Sequence, residues 1–371
     1  MSKGLRFAFF GSSLVSAYWN GAATYYRGLI RELHALGHRI TFYEPDAFER
    51  QRHRDLADPD WARVVVYAND LNATRQALSD AADADVIVKT SGVGVFDEFL
   101  EGEVLALKRP GNIVIFWDVD APATLDRVRN NPGDSFRPLI PRYDLILTYG
   151  GGQPVVDGYE QLGARRCVPI YNALDTSTHY PVPPDPRFDG DLAFLGNRLP
   201  DREARVEAFL LEAARRRPRY RFLLGGNGWD DKPMPPNLRY LGHVYTRDHN
   251  AINATPRCVL NISRDSMARY GFSPATRVFE AAGAGACLIT DAWRGIELFL
   301  EPEREVLVAN DGEEVAELLD RVGAEQARRI GARALARVRA EHTYAHRAAQ
   351  VQALLEGRDV ESFGVVRRRA V

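Results

Sequence analysis

The run Gly271-Phe272-Ser273-Pro274-Ala275-Thr276-Arg277-Val278-Phe279-Glu280-Ala281-Ala282-Gly283-Ala284-Gly285 holds the densest chemistry of the chain. Ser followed by Pro reads as a helix N-cap and first helical residue. Glu280 then lies two turns on, about 10 Å along the axis at 1.5 Å per residue, and on nearly the same face. The amide end of such a helix attracts a diphosphate, with Ser273, Thr276 and Arg277 beside it. The carboxylate two turns deeper can accept hydrogen bonds from ribose hydroxyls. The plain alternative is a capped surface helix with an incidental glutamate, but the small residues after Glu280 imply a face packed tightly on a sheet.

Other reactive groups follow short apolar runs. In the second half these are Gly196-Asn197-Arg198 with Arg202, then Gly225-Gly226-Asn227-Gly228, Gly242-His243 and Ser263-Arg264. Glycine lets a phosphate approach the backbone, and arginine grips it with two donors. Arg198 and Arg202 are the reserve anion ligands, with Gly226 and Arg264 also on the donor side. In the first half, Gly11-Ser12-Ser13 precedes Trp19-Asn20-Gly21. That loop either lines an acceptor site or is a plain strand-to-helix turn. It is not G-x-G-x-x-G, which disfavours a dinucleotide dehydrogenase. Asp118 and Asp120 stand at i and i+2 after another apolar run, so in extended chain they point to opposite sides. One is a candidate general base and the other an orienting group, unless both serve only a loop and a helix cap. His243 is a further catalytic candidate, or a satisfied structural histidine.

The positioning elements are legible. Apolar runs at 7–10, 40–43, 64–67, 86–88, 113–116 and 145–148 are continuous rather than alternating, which suits strands buried on both faces of a parallel sheet. A helical face of Tyr26, Leu29, Ile30, Leu33 and Leu36 ends at Gly37, a C-terminal cap. Repeated strand–helix–strand units give a doubly wound α/β sheet. Pro181, Pro183, Pro184 and Pro186 fit neither helix nor central strand. We therefore expect a linker at 179–190 between a Rossmann-like acceptor-side domain, 1–178, and a second such domain, 191–335. There the pattern restarts at 192–195, 220–224, 238–241, 259–262, 286–290 and 306–308, with helices near 203–216, 274–284 and 312–322. The closing segment 336–371 is helical, ending in a solvated Arg367-Arg368-Arg369 tail. In open α/β sheets ligands sit beyond the carboxyl ends of the strands, so two facing domains make a cleft.

Composition narrows the classes. The chain has 371 residues, 45% of them hydrophobic and 26% charged, which excludes a disordered tail or a disulfide scaffold. A net charge of −2 gives no basic field for nucleic acid. Four of the 48 basic side chains are lysine, so anion sites must rest on guanidinium groups and backbone amides. Cys167, Cys258 and Cys287 sit in or beside apolar runs, as small buried residues of a reducing compartment. No apolar run approaches the roughly 18 residues of a membrane span. A cytoplasmic chain without an integral membrane segment is expected.

The stretch 190–310 resembles the GT-B glycosyltransferases, group 1, and within them the branch similar to spore-maturation CgeB-like proteins. The residues carrying the likeness are Phe194-Leu195-Gly196, Asp201-Arg202, Tyr240-Leu241-Gly242, Leu260-Asn261, Arg277-Val278-Phe279-Glu280-Ala281-Ala282 and Leu288-Ile289-Thr290-Asp291. The resemblance implies two Rossmann-like doubly wound domains facing a cleft. It also implies an NDP-sugar co-substrate on the C-terminal domain, an acceptor (glycan, protein or small molecule) on the N-terminal one, and a last helix that crosses back. No metal and no further cofactor are implied. Two departures stand out. The related group-1 families carry a glutamate eight positions before this one, where Phe272 stands here, and their phosphate lysine is replaced by arginines. The expected activity is sugar transfer. A nucleotide-sugar 2-epimerase or a non-catalytic nucleotide-sugar-binding scaffold would share the architecture.

Overall fold

The computed structural model describes residues 4–18, 20–92 and 94–365. The expected C-terminal tail and Trp19 lie outside them. The chain divides into two compact units, residues 1–171 with 344–371, and residues 172–343.

In the first unit the apolar runs become β1 (Arg6–Phe10), β2 (Arg39–Pro45), β3 (Arg63–Tyr67), β4 (Val86–Thr90), β5 (Ile113–Asp118) and β6 (Leu145–Thr148). A short seventh strand, β7 (Cys167–Pro169), carries too little pattern to be read from sequence. All pair in parallel, in the order β3-β2-β1-β4-β5-β6-β7. The second unit has β8 (Leu192–Leu195), β9 (Phe222–Gly225), β10 (Leu238–Gly242), β11 (Cys258–Asn261), β12 (Leu288–Asp291) and β13 (Leu307–Ala309). Their order is β10-β9-β8-β11-β12-β13, again all parallel. Both faces are covered, so Phe9, Ile87, Val114 and Leu147 in one sheet and Leu192, Leu260 and Ile289 in the other have no exposed surface. The three cysteines are buried and unbridged, as small apolar residues should be.

Each sheet reverses its winding once, between β1 and β4 and between β8 and β11. These are the switch points where flanking loops part and leave a crevice. They select the loops after β1 and β4 in one unit, and after β8 and β11 in the other, as the places to look for ligands.

The boundary does not fall in the proline stretch. Asn172 already bonds the second unit through Nδ2 to the Pro274 carbonyl at 3.2 Å. The Leu174 amide donates to the His342 carbonyl at 2.7 Å. The prolines then run along the second unit's own surface, where the intervening amides find side chains: Tyr180 N reaches Asn250 Oδ1 at 3.3 Å and Asp185 N reaches Thr255 Oγ1 at 2.9 Å. Proline removes donors; it does not by itself make a hinge. The chain returns at Tyr344, later than the expected 336. The helix Ala324–Glu341 stays with the second unit, and the helix Tyr344–Leu355 belongs to the first. There it packs on the helix Ala22–Ala35 at Gly28, where a Cβ would lie 2.2 Å from the Tyr344 ring. The latter helix is closed by Gly37 at φ +94°, the left-handed position its sequence called for.

On the helix Asp97–Glu103, Glu101 is buried and its pKa is pushed up to about 7. Burial is the main cause; Lys89 and Arg127 act against it, and Asp97 and Asp134 with it. A folded-state pKa above the unfolded one stabilises fully below the unfolded value, and that stability is lost as pH rises through 7. Wild-type stability should therefore fall by about 2 kcal/mol between mildly acidic and mildly alkaline pH on account of this group. In Glu101→Gln, urea denaturation across that window should show this component flattened. An unchanged slope would place the carboxyl's titration at its ordinary pH.

Candidate functional site

In the second unit, β8 runs into Gly196-Asn197-Arg198. Gly226 is required by close approach, since its Cβ would lie 2.3 Å from the Gly196 carbonyl oxygen. Asn197 holds the same turn, its Oδ1 accepting from the Asn227 amide at 2.9 Å. Arg198 is engaged by Glu203 at 2.7 Å and Asp231 at 2.6 Å, and Arg264 by Asp201 at 2.6 Å. These expected anion ligands are thus held in ion pairs.

Arg202 differs. Its guanidinium lies over the Phe194 ring at 5.7 Å and donates to the Asn197 carbonyl at 2.5 Å, while its buried Nε has no partner. Its pKa is drawn down to about 10, first by burial and then by the charge of Arg277. Two guanidinium groups are thus held near one another in a partly dry place, an arrangement that costs energy until an anion joins them. Arg277 itself has Nε and one terminal nitrogen without a hydrogen-bond partner, and it faces Glu280 Oε2 at 3.2 Å.

The loop ahead of Arg277 is not the expected helix start. The helix is Thr276–Gly283, with Ala275 as its N-cap at ψ 151° and no side-chain cap. Ser273 Oγ donates to the Gly271 carbonyl at 3.0 Å rather than capping helix amides. Gly271 and Phe272 both have positive φ, 70° and 47°. For phenylalanine that backbone is strained, and it persists because the surroundings fix it. Phe272 N donates to the Arg294 carbonyl at 2.6 Å, and the Arg294 guanidinium covers the ring at 5.0 Å. The chain therefore enters extended at Ala275, leaving the first helical amides uncapped by a side chain. Glu280 is consequently one turn into the helix, about 6 Å along its axis from Thr276, rather than two turns from Ser273.

Glu280 retains 12% of its side-chain exposure. Burial raises its pKa, but the Arg277 guanidinium and, when protonated, His179 and His249 outweigh it, so the carboxyl is held below its ordinary value. His179 Nε2 is 3.8 Å from Glu280 Oε1, and one ligand atom from each of His179, His249 and Glu280 lies within 4.8 Å of the others. Sequence reading missed both histidines. His179 was taken into a proline linker, and His249 sits in a short helix, His249–Ala254, without a periodic signal. His243, by contrast, is exposed after the edge strand β10, stacked edge-on against Tyr245 at 4.7 Å, and is not brought to this cluster.

In the first unit the loop after β1 is built from its own polar groups. Gly11 has no room for a Cβ, with Phe42 at 2.6 Å and Thr90 Oγ1 at 2.8 Å. Ser12 Oγ reaches Asn20 Oδ1 at 3.1 Å, Asn20 Nδ2 donates to the Ser13 carbonyl at 2.9 Å, and Ser13 Oγ donates to the buried Glu44 at 2.9 Å. Ser12, Ser13 and Asn20 are all buried, so they shape the loop. Asp118 is fully buried: it accepts from Ser91 Oγ at 2.7 Å, from the Asp120 amide at 2.9 Å and from the Tyr159 hydroxyl. It orders the end of β5. Asp120 stands at the start of the helix Ala121–Asn130, makes no side-chain cap there and stays half-buried.

A family profile described as "Glycosyl transferase-like" matches residues 202–353. No curated protein sequence matches. Among solved structures, Anabaena Alr3699/HepE in complex with UDP and glucose is similar at 14% identity and TM-score 0.67, covering 95% of this chain and 100% of its own. Sucrose-phosphate synthase from Thermosynechococcus elongatus is similar at 14% identity and TM-score 0.66, with 95% and 98% covered. An alpha-glucosyltransferase in complex with UDP-glucose and DNA containing an abasic site is similar at 12% identity and TM-score 0.69, with 95% and 100% covered. No helix among the described residues is long and apolar enough to cross a membrane. Two all-parallel α/β units, each wound about its own switch point, thus give this chain the GT-B fold of glycosyltransferases.

Proposed function

We propose that the chain moves a glycosyl group from a nucleoside-diphosphate sugar to an acceptor, and that the second unit holds the donor. The observation carrying this is the pair of guanidinium groups of Arg202 and Arg277, each with a buried Nε that has no partner, beside a helix start without a side-chain cap and a charged Glu280. Helix amides and arginines take the diphosphate, and Glu280, one turn further, takes the ribose hydroxyls. That distance is the shorter one from the α-phosphate to the ribose.

In the reaction the bond between the anomeric carbon and the phosphate oxygen breaks, and a bond to an acceptor oxygen forms. The acceptor proton passes to a base, for which Asp120 is the candidate; Asp118 is spent on structure. The departing diphosphate gains charge, which Arg202, Arg277 and the amides stabilise in a place poor in water. This counter-charge takes the part that a metal plays in other sugar transferases. The run Arg277-Val278-Phe279-Glu280-Ala281-Ala282 supports the CgeB-like branch, and the UDP-bound solved structures of the same fold support a nucleotide donor. Calorimetric titration with UDP, dTDP and GDP, followed by the corresponding sugars, tests the reading. One nucleotide should bind per chain, and its sugar should be released on adding acceptor. Failure of every nucleoside diphosphate to bind would overturn it.

A further inference from the structure

The histidines beside Glu280 need an explanation that the donor reading does not give. His179 is 5% exposed, and its Nε2 has no hydrogen-bond partner. Its other ring nitrogen lies 2.9 Å from Thr178 Oγ1, and that hydroxyl spends its one proton on the Asp175 carbonyl at 3.3 Å. With that proton on the Asp175 carbonyl, Thr178 accepts from Nδ1–H, and the neutral ring carries its lone pair on Nε2. This lone pair points at the Glu280 carboxylate, 3.8 Å away, itself an acceptor. The third ring follows the same logic. His249 Nε2 lies 3.3 Å from the Val244 carbonyl, which can only accept, so Nε2 carries the proton and Nδ1 carries the lone pair. Three acceptors, with one atom of each inside 4.8 Å, have no donor among them. A positive charge between them reconciles such groups, either a proton on Nε2 or a metal ion, and the two imidazoles with a carboxylate are a metal's donor set.

We propose that His179 Nε2, His249 Nδ1 and Glu280 Oε1 form a binding site for a divalent transition metal of the zinc type. Two imidazoles and one carboxylate, with a fourth position open, is a donor set zinc accepts, whereas magnesium and calcium favour oxygen alone. Ligand atoms on tetrahedral zinc stand roughly 3.3 Å apart, so the His179–Glu280 gap needs to close by about half an ångström. Both imidazoles already have their other nitrogen held by an oxygen, the arrangement that fixes a metal-bound ring. Arg277 sits on the second carboxylate oxygen, Oε2, and leaves Oε1 to the metal. Its charge weakens the site without blocking it. Because Glu280 would serve both ligands, zinc and nucleoside compete. Only that competition rests on the donor reading; the metal site itself does not.

The test is the full chain, freed of metal by chelator, titrated with cobalt(II) and with zinc. Cobalt should give a visible ligand-field band at one equivalent, without a thiolate charge-transfer band, and zinc should displace it and raise the melting temperature. His179→Ala and His249→Ala, checked for folding by circular dichroism, should each lose affinity by more than the roughly tenfold that removing a merely orienting group costs. No cobalt band with the wild-type chain, affinity unchanged in both variants, or a thiolate band pointing to the cysteines, would each overturn the proposal. In the competition arm, UDP should weaken zinc binding. If UDP binds and zinc affinity is unchanged, Glu280 does not serve both ligands, and cobalt titration of Glu280→Ala decides which one it serves: affinity lost keeps the metal site, affinity kept overturns it. If UDP does not bind at all, the donor reading fails and the cobalt spectrum still decides the metal site.

Discussion

Replacing Glu280 with alanine should weaken UDP binding by about 2–4 kcal/mol, roughly 30- to 1000-fold, in calorimetric titration. The size follows from one or two hydrogen bonds to a charged acceptor, each stronger than a neutral one. A second effect runs the other way. Removing the carboxylate releases Arg277 from its partner at 3.2 Å and adds to the positive field it shares with Arg202. Phosphate groups should then be held as well as before or better. Pyrophosphate affinity is accordingly expected to be retained or raised in the variant while UDP affinity falls, and that split locates Glu280 at the pentose rather than at the phosphates. Glu280→Gln keeps the shape and one acceptor, and should fall between wild type and alanine. Unchanged UDP affinity in a folded Glu280→Ala chain would remove the ribose role. An equal loss of pyrophosphate would move Glu280 into the phosphate-binding part.

The contrast between what sequence gives and what it hides is clearest in this segment. Glu280 was legible because a carboxylate among alanines and glycines breaks the local pattern, and Arg277 because it stands one turn before it. The exact helix start was not legible. Ser-Pro is a strong local signal, but the left-handed backbone at Gly271 and Phe272 is imposed by Arg294, a residue distant in sequence that holds the Phe272 amide and covers its ring. A cap is a local choice; here a tertiary contact overrides it. The strands other than β7 were legible to within about two residues at either end, since short continuous apolar runs bounded by turn residues suit strands buried on both faces. The histidines were not, because what sets them apart is a lone pair without a donor, and that exists only once Thr178 and Val244 have been folded against the rings. Likewise Arg198 and Arg264 have the right type and place for anion ligands. Only the structure shows that Glu203, Asp231 and Asp201 have already taken them.

Asp118 and Asp120 pose the same question in the first unit, and substitution separates them. Asp118→Ala should cost about 3–4 kcal/mol of stability, a fall in melting temperature on the order of 10 °C. Removing a buried carboxylate relieves its desolvation, which favours the variant. Against this, the Tyr159 hydroxyl loses its acceptor in a fully buried place and the Ser91 hydroxyl and the Asp120 amide lose theirs in part-buried ones, and each unpaired donor costs about 1–3 kcal/mol. Three donors outweigh one desolvated acid. Asp118→Asn retains a carbonyl for Ser91 and the Asp120 amide and offers its amide group to the Tyr159 oxygen, so most of the stability should return. Asp120, half-buried at the head of its helix, should behave in the opposite way. Its change to asparagine should leave the melting temperature within about a degree and nucleotide affinity untouched, while sugar transfer falls by two orders of magnitude or more, the share a positioned general base supplies. Thermal denaturation and turnover measured on both asparagine variants decide the assignment. A stable Asp118→Asn chain that has lost transfer, beside an Asp120→Asn chain that has kept it, would exchange the two roles.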